Sequence, residues 1–145
     1  MAMSGVQTDD EVLSTYQDQL RIKKEGKEHL GCMILKISDD SKRIILDKTF
    51  PAGKLTWEGL KSELPTDEGR YVVYDFKYQT KNGAEHNKIV FIAWNPDGGK
   101  IKLKMLYSAS KDAIKKKLEA VAHEVQANDL GDLDESEIED KLRKN

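Results

Sequence analysis

The chain has 145 residues, 38% hydrophobic and 34% charged, with 10 Gly and 3 Pro, a profile of one folded domain that excludes a disordered tail or a multidomain enzyme. Its 24 Lys and Arg nearly balance 26 Asp and Glu, so bulk charge does not argue for nucleic acid. A single cysteine, Cys32, and 3 His exclude an internal disulfide and leave little for a zinc site.

Residues 1–7 read as a short mobile leader containing Gly5, ahead of a folded core over 8–143. Thr8 or Asp9 can cap a helix over 8–24, in which Val12, Leu13, Tyr16, Leu20 and the stem of Lys23 recur at helical spacing. Gly26 ends it. The apolar run 30–37 predicts a strand, Ser38-Asp39-Asp40-Ser41 a turn, and 43–49 its hairpin partner. Thr56 is a good N-cap for a short helix over 57–64, closed by Pro65. The β-branched and aromatic stretches 70–78 and 88–94, joined by Lys81-Asn82-Gly83, predict a long hairpin with an exposed basic tip. Asn95 to Gly99 breaks the chain. A long helix over 101–119 follows. Pattern alone leaves 121–127 open between an extension of that helix and a last strand; 135–143 is a short closing helix. This order predicts a mixed α+β fold with helices covering a sheet.

On a wheel of 3.6 residues per turn, Leu103, Leu106, Tyr107, Ala113, Ile114 and Leu118 of the long helix share one side, the expected buried stripe. Lys104, Met105, Ser108, Asp112, Lys115 and Lys116 lie opposite, with Lys102 and Lys111 on the flanks. Met105 is the anomaly: a flexible apolar side chain framed by lysines, suited to a greasy pocket on a partner whose rim is acidic. Spacing fits a solvated lysine face with one stray methionine equally well. The charge distribution favours the interface. Seven lysines between Lys100 and Lys117 are opposed only by Asp112, whereas 124–140 holds eight acids and no Lys or Arg. Such asymmetry steers a partner; an acidic protein, an anionic lipid headgroup or nucleic acid would suit the basic side.

At these residues the sequence resembles the actin-depolymerising factor/cofilin family. The strongest block is Trp94-Asn-Pro-Asp97 followed by Ile101-Lys-Leu-Lys-Met105-Leu-Tyr-Ser-Ala-Ser-Lys111-Asp-Ala-Ile-Lys-Lys-Lys-Leu118, with support from 70–76, 88–94, Glu124-Val-Gln-Ala127 and Ser4-Gly5-Val6. The resemblance spans almost the whole chain. It implies a single ADF-homology (gelsolin-like) domain, 1–145, with a central mixed five-stranded sheet flanked by helices on both faces, and 121–127 as a strand. It also implies a non-enzymatic, cofactor-free, monomeric protein that binds monomeric and filamentous actin, prefers ADP-bound subunits, and severs and depolymerises filaments.

By the same resemblance, Ser4, Gly5, Val6, Lys102, Lys104 and Met105 match the actin contact, extended by Lys111, Lys115 and Lys116, and Ser4 matches a regulatory phosphorylation site. Added phosphate would repel acidic actin. Filament-side contacts map to Lys81, His86 and Lys88 at the hairpin tip and to Asp140, Lys141 and Lys144 on the last helix. His86 stands where a permanent cation is frequent, beside acidic Glu85, a departure that bears on filament affinity more than on monomer binding. Phosphoinositides are implied as ligands competing with actin; a monomer-binding, weakly severing protein and a peripheral lipid binder are the alternative readings. No apolar run approaches the ~18 residues of a membrane span and no secretory signal is seen. The expected address is the cytoplasm and its actin cytoskeleton, with nuclear entry by diffusion left open. Cys32 in its apolar strand reads as an inert thiol, and Gly98-Gly99-Lys100 lacks the remaining P-loop residues.

Overall fold

The computed structural model describes residues 5–144. In chain order the elements are β1 (Gln7–Thr8), α1 (Asp10–Thr15) running on into a π-helical stretch (Tyr16–Arg21), β2 (Leu30–Ile37), β3 (Arg43–Pro51), α2 (Trp57–Glu63), β4 (Arg70–Gln79), β5 (Glu85–Trp94), α3 (Ile101–Lys117), β6 (Val121–Ala127), a 3₁₀ turn (Leu130–Asp132) and α4 (Glu135–Lys144).

The strands form one mixed sheet in the order β1-β3-β2-β4-β5-β6. The β2–β3, β2–β4 and β4–β5 pairs are antiparallel, while β1–β3 and β5–β6 are parallel. The sixth strand, absent from the sequence reading, is the two-residue β1. Gln7, read as part of the leader, pairs with Arg43, and Thr8 with Ile44. Two residues carry no periodicity that a pattern could show. The stretch 121–127 is a strand: Phe91 to Trp94 of β5 pair in sequence with Glu124 to Ala127.

Alternation along the strands divides the core. Cys32 and Ile34 of β2, with Val72, Phe76, Val90 and Ile92, pack against Trp57 and Leu60 of α2 and Ile138 and Leu142 of α4. Met33 and Leu35, with Tyr71, Val73 and Phe91, pack on the other face against Val12, Tyr16 and Leu20 and against Tyr107, Ile114 and Leu118. A sheet covered on both faces buries consecutive residues at the middle of its central strands, as at Cys32–Leu35, Tyr71–Val73 and Val90–Ile92. This explains why β2, β4 and β5 read as near-continuous apolar runs. Cys32 is completely buried, and burial pushes its thiol pKa up, as an inert core thiol requires.

Local chemistry fixes the element ends. The Thr56 hydroxyl accepts from Gly59 N at 3.0 Å, the expected cap of α2. Asp9 occupies the N-cap of α1 but makes no side-chain cap bond; its carboxylate pairs with Arg43 instead. The expected helix over 8–24 stops earlier. It widens after Thr15, with Ile22 N donating to Gln17 O at 3.0 Å, and ends at Lys23, which takes a left-handed φ of 56°. Lys23 is therefore a terminator and not part of the apolar stripe.

Candidate functional site

The site is built on α3, and the segment leading into it decides its geometry. Trp94 is buried at the end of β5, and its indole N–H donates to Pro65 O at 2.7 Å. Gly98 lies so close to Thr66 that a Cβ would come within 2.8 Å of its carbonyl oxygen, so glycine is required there. The chain then enters α3. Asn95 Nδ2 donates to Lys104 O at 3.0 Å, and Lys104 Nζ donates back to Asn95 O at 3.2 Å and Pro96 O at 2.9 Å, with Asp97 at 3.5 Å. One turn on, the Tyr107 hydroxyl accepts from Ile37 N at 3.0 Å, and the Tyr71 hydroxyl donates to Tyr107 O. The Tyr107 ring lies over Gly69, where a Cβ would meet it at 2.7 Å. The first half of α3 is thus bolted to the sheet through polar contacts as well as packing.

That rigid half presents two large apolar side chains to solvent. Met105 is 67% exposed and Ile101 is 78% exposed. They are four residues apart, hence on one face, and exposed Ala109 continues the line a turn later. Lys102 is exposed beside them. A shallow groove between α3 and the β2–β3 turn is lined by Lys102, Met105, Leu106, Ala109, Asp40 and Ser41. The N-terminal segment leads up to the same turn: Gln7 N donates to Lys42 O at 2.9 Å. Val6 is buried in the core that also holds Tyr107, and Gly5 is exposed with φ at 74°. Ser4 lies outside the described residues.

The lysines expected on this face divide. Lys102 and Lys116 are exposed. Lys104 is half-buried on the carbonyls named above. Lys111 and Lys115 converge on one carboxylate of β6: Lys111 Nζ is 2.9 Å from Glu124 Oε2 and Lys115 Nζ is 2.7 Å from Glu124 Oε1. Burial of Glu124 opposes its ionisation, but the hydrogen bonds from Lys115 and Lys111 outweigh that and hold its carboxyl below the usual glutamate range. The buried stripe is narrower than expected. Tyr107, Ile114 and Leu118 are buried with Ser110, while Leu103, Leu106 and Ala113 are half-buried.

The second group of expected residues lies on α4 and the β4–β5 hairpin. Lys81, Glu85 and His86 are exposed at or near the tip, and Asp140, Lys141 and Lys144 are exposed on α4. Lys88 Nζ donates to Leu142 O at 3.3 Å and lies 5.9 Å from the centre of the Tyr78 ring, and the tilted His86 ring is centred 6.2 Å from the same ring. Arg143 donates to Gln79 O at 2.8 Å and pairs with Glu139 and Asp140. Hairpin and helix therefore form one surface. It lies on the sheet face opposite to α3.

Two residues of these surfaces escaped the sequence reading. Ile101 sits four residues before Met105, and that spacing alone could have found it. Arg143 had no such signal, because its partner Gln79 is distant in sequence. Among the described residues no group of three or more His, Cys, Asp and Glu side chains could hold a metal ion, and no described helix is long and apolar enough to cross a membrane.

A mixed sheet between two helical layers, with an exposed apolar pair set among lysines on one rigid helix, defines a protein-binding domain. The chain belongs to the cofilin/ADF family: the family model for cofilin/tropomyosin-type actin-binding proteins matches residues 5–143. It is 38% identical to cofilin-1A of Dictyostelium discoideum over 141 residues, covering 97% of this chain and 98% of that protein. It is 35% identical to actin-depolymerizing factor 5 of Arabidopsis thaliana over 143 residues, covering 99% of this chain and 96% of that one. The crystal structure of Streptomyces griseoflavus cofilin superposes with a TM-score of 0.82 at 30% identity, covering 97% of this chain and 99% of that chain.

Proposed function

We propose that this protein binds monomeric and filamentous actin, prefers ADP-bound subunits, and promotes severing and subunit loss by non-enzymatic, differential binding. A protein that binds one twist state of the filament more tightly shifts subunits toward it without chemistry. The observation that carries this reading is the exposed Ile101–Met105 pair beside Lys102 on the anchored half of α3. An apolar centre with a cationic rim fits a hydrophobic pocket bordered by acids. The N-terminal segment adds to the contact through Gly5 and Ser4, with Val6 anchoring it in the core. Phosphate on Ser4 would add negative charge to the N-terminal segment and weaken binding to an acidic partner. Charge reversal Lys102→Glu tests the site: it should abolish monomer binding while the thermal unfolding midpoint stays unchanged. A folded variant that binds as wild type removes the assignment.

The hairpin–α4 surface supplies the second, filament-side contact, through Lys81, His86, Lys88, Asp140, Lys141 and Lys144. The alternative reading, a monomer-binding and weakly severing protein, draws on the exposure of Glu85 and His86 at the tip, where an acid and a histidine replace permanent cations. His86→Lys should then raise filament affinity and leave monomer affinity as it was. Phosphoinositides compete for the α3 lysines, and the protein acts as a monomer in the cytoplasm on the actin cytoskeleton.

A further inference from the structure

The far half of α3 carries Lys111, Lys115, Lys116 and Lys117, yet two of these cations are already engaged. Glu124 gives one carboxylate oxygen to each of Lys111 and Lys115, at 2.9 and 2.7 Å. The Glu124 side chain is 19% exposed, as is that of Lys111, and that of Lys115 is 40% exposed. These are short charge-assisted bonds, partly shielded from water at Glu124 and Lys111 and open to it at Lys115. An approaching phosphate must displace a carboxylate held between both ammonium groups or accept its repulsion.

We infer that Glu124 is an internal counter-ion that withholds Lys111 and Lys115 from anionic membrane surfaces and so biases α3 toward its protein partner. This rests on α3 being the binding face. The bias follows from position. Lys111 lies roughly 9 Å and Lys115 roughly 15 Å along the axis from Met105, at 1.5 Å per residue. A rigid partner seated over Ile101 and Met105 gains little from cations that far along. Mobile headgroups can gather around every lysine that is free. Releasing Lys111 and Lys115 therefore strengthens membrane binding much more than actin binding.

The test uses the full chain with vesicles of phosphatidylcholine carrying a minor fraction of phosphatidylinositol bisphosphate, phosphatidylcholine alone as background, and ADP-actin in parallel. Glu124→Gln removes the counter-ion. Glu119→Gln is the control: it adds the same unit of charge just beyond α3, where the Glu119 carboxylate lies 3.7 Å from Arg21 and is 69% exposed. Glu124→Asp keeps the charge but is one methylene shorter, which draws the carboxylate back from both ammonium groups. Glu124→Gln should bind the vesicles about ten- to thirty-fold more tightly at low salt, as two released lysines near an anionic leaflet provide. Glu119→Gln should gain less than about five-fold, the value of one charge. Glu124→Asp should gain several-fold at unchanged net charge, which keeps the test decisive if Glu124→Gln fails to fold. All gains should shrink at high salt.

A Glu124→Gln gain no larger than that of Glu119→Gln overturns the inference, and so does a Glu124→Asp variant that binds as wild type. An equal gain toward actin filaments overturns the membrane bias. Wild type that does not bind actin would instead remove the functional reading and leave the vesicle comparison to be judged by itself.

Discussion

Lys23 and Asp75 are joined by a 2.8 Å ion pair that closes the end of the first helix onto the middle of β4. The same ammonium donates to Leu20 O at 2.8 Å and Leu30 O at 3.4 Å, and the Asp75 side chain is only 9% exposed. A left-handed backbone at Lys23 turns its side chain under the helix end, so one residue terminates the helix, satisfies two carbonyls and neutralises a nearly buried carboxylate. Among the described residues, Lys23→Ala leaves the Asp75 carboxylate to the amide of Asn87. The expected cost is about 2 kcal/mol in urea unfolding. A change below a few tenths would show that water replaces the lysine at no cost.

Lys102 and Lys104 should separate by experiment although they are two residues apart. Lys104 ties α3 to Asn95 and Pro96, whereas Lys102 is exposed. Alanine at Lys104 should lower stability by about 1 kcal/mol and weaken actin binding along with it. Alanine at Lys102 should weaken binding alone. Equal thermal unfolding midpoints for the two variants would contradict this division of roles.

Gly69 should resist substitution. A Cβ there would stand 2.7 Å from the Tyr107 ring, and moving that ring breaks the bond from Ile37 N to its hydroxyl. Gly69→Ala should cost about 1–3 kcal/mol, the usual range for overpacking. Actin affinity should fall too, because Tyr107 fixes the turn of α3 that follows Met105. Wild-type stability in this variant would mean that the ring shifts freely.

Much of this was legible in the sequence. The central strands showed because both faces of the sheet are covered, so their apolar runs are nearly unbroken. Thr56 showed because a hydroxyl followed by a short amphipathic stretch has one local use. Met105 showed because it breaks the pattern of its own helix. The rest depends on contacts between segments. A helical wheel treats α3 as isolated, so Lys104, Lys111 and Lys115 looked like free cations, although their partners lie at Asn95, Pro96 and Glu124. Ser110 is buried on the same helix although nothing in its residue type marks it for the core. The π-helical widening at Tyr16 and the left-handed Lys23 leave no trace in hydrophobic spacing, so the first helix was read too long.

Glu124 should also leave a mark on stability against pH. Its folded-state pKa lies below the unfolded value, so its contribution is complete above the ordinary glutamate range. The contribution disappears as pH falls through the lowered folded value. Wild type should therefore exceed Glu124→Gln in stability near neutral pH, and the two should converge in acid. Parallel stability curves across that window would mean that the lysines do not hold the carboxylate in solution.

The most direct measurement is sedimentation of preformed ADP-actin filaments with increasing amounts of the protein, assaying actin in pellet and supernatant. Actin should pass from pellet to supernatant as protein is added, and Lys102→Glu should leave it in the pellet. A pellet unchanged by wild-type protein, with no protein bound to it, would contradict filament disassembly through the Ile101–Met105 face of α3.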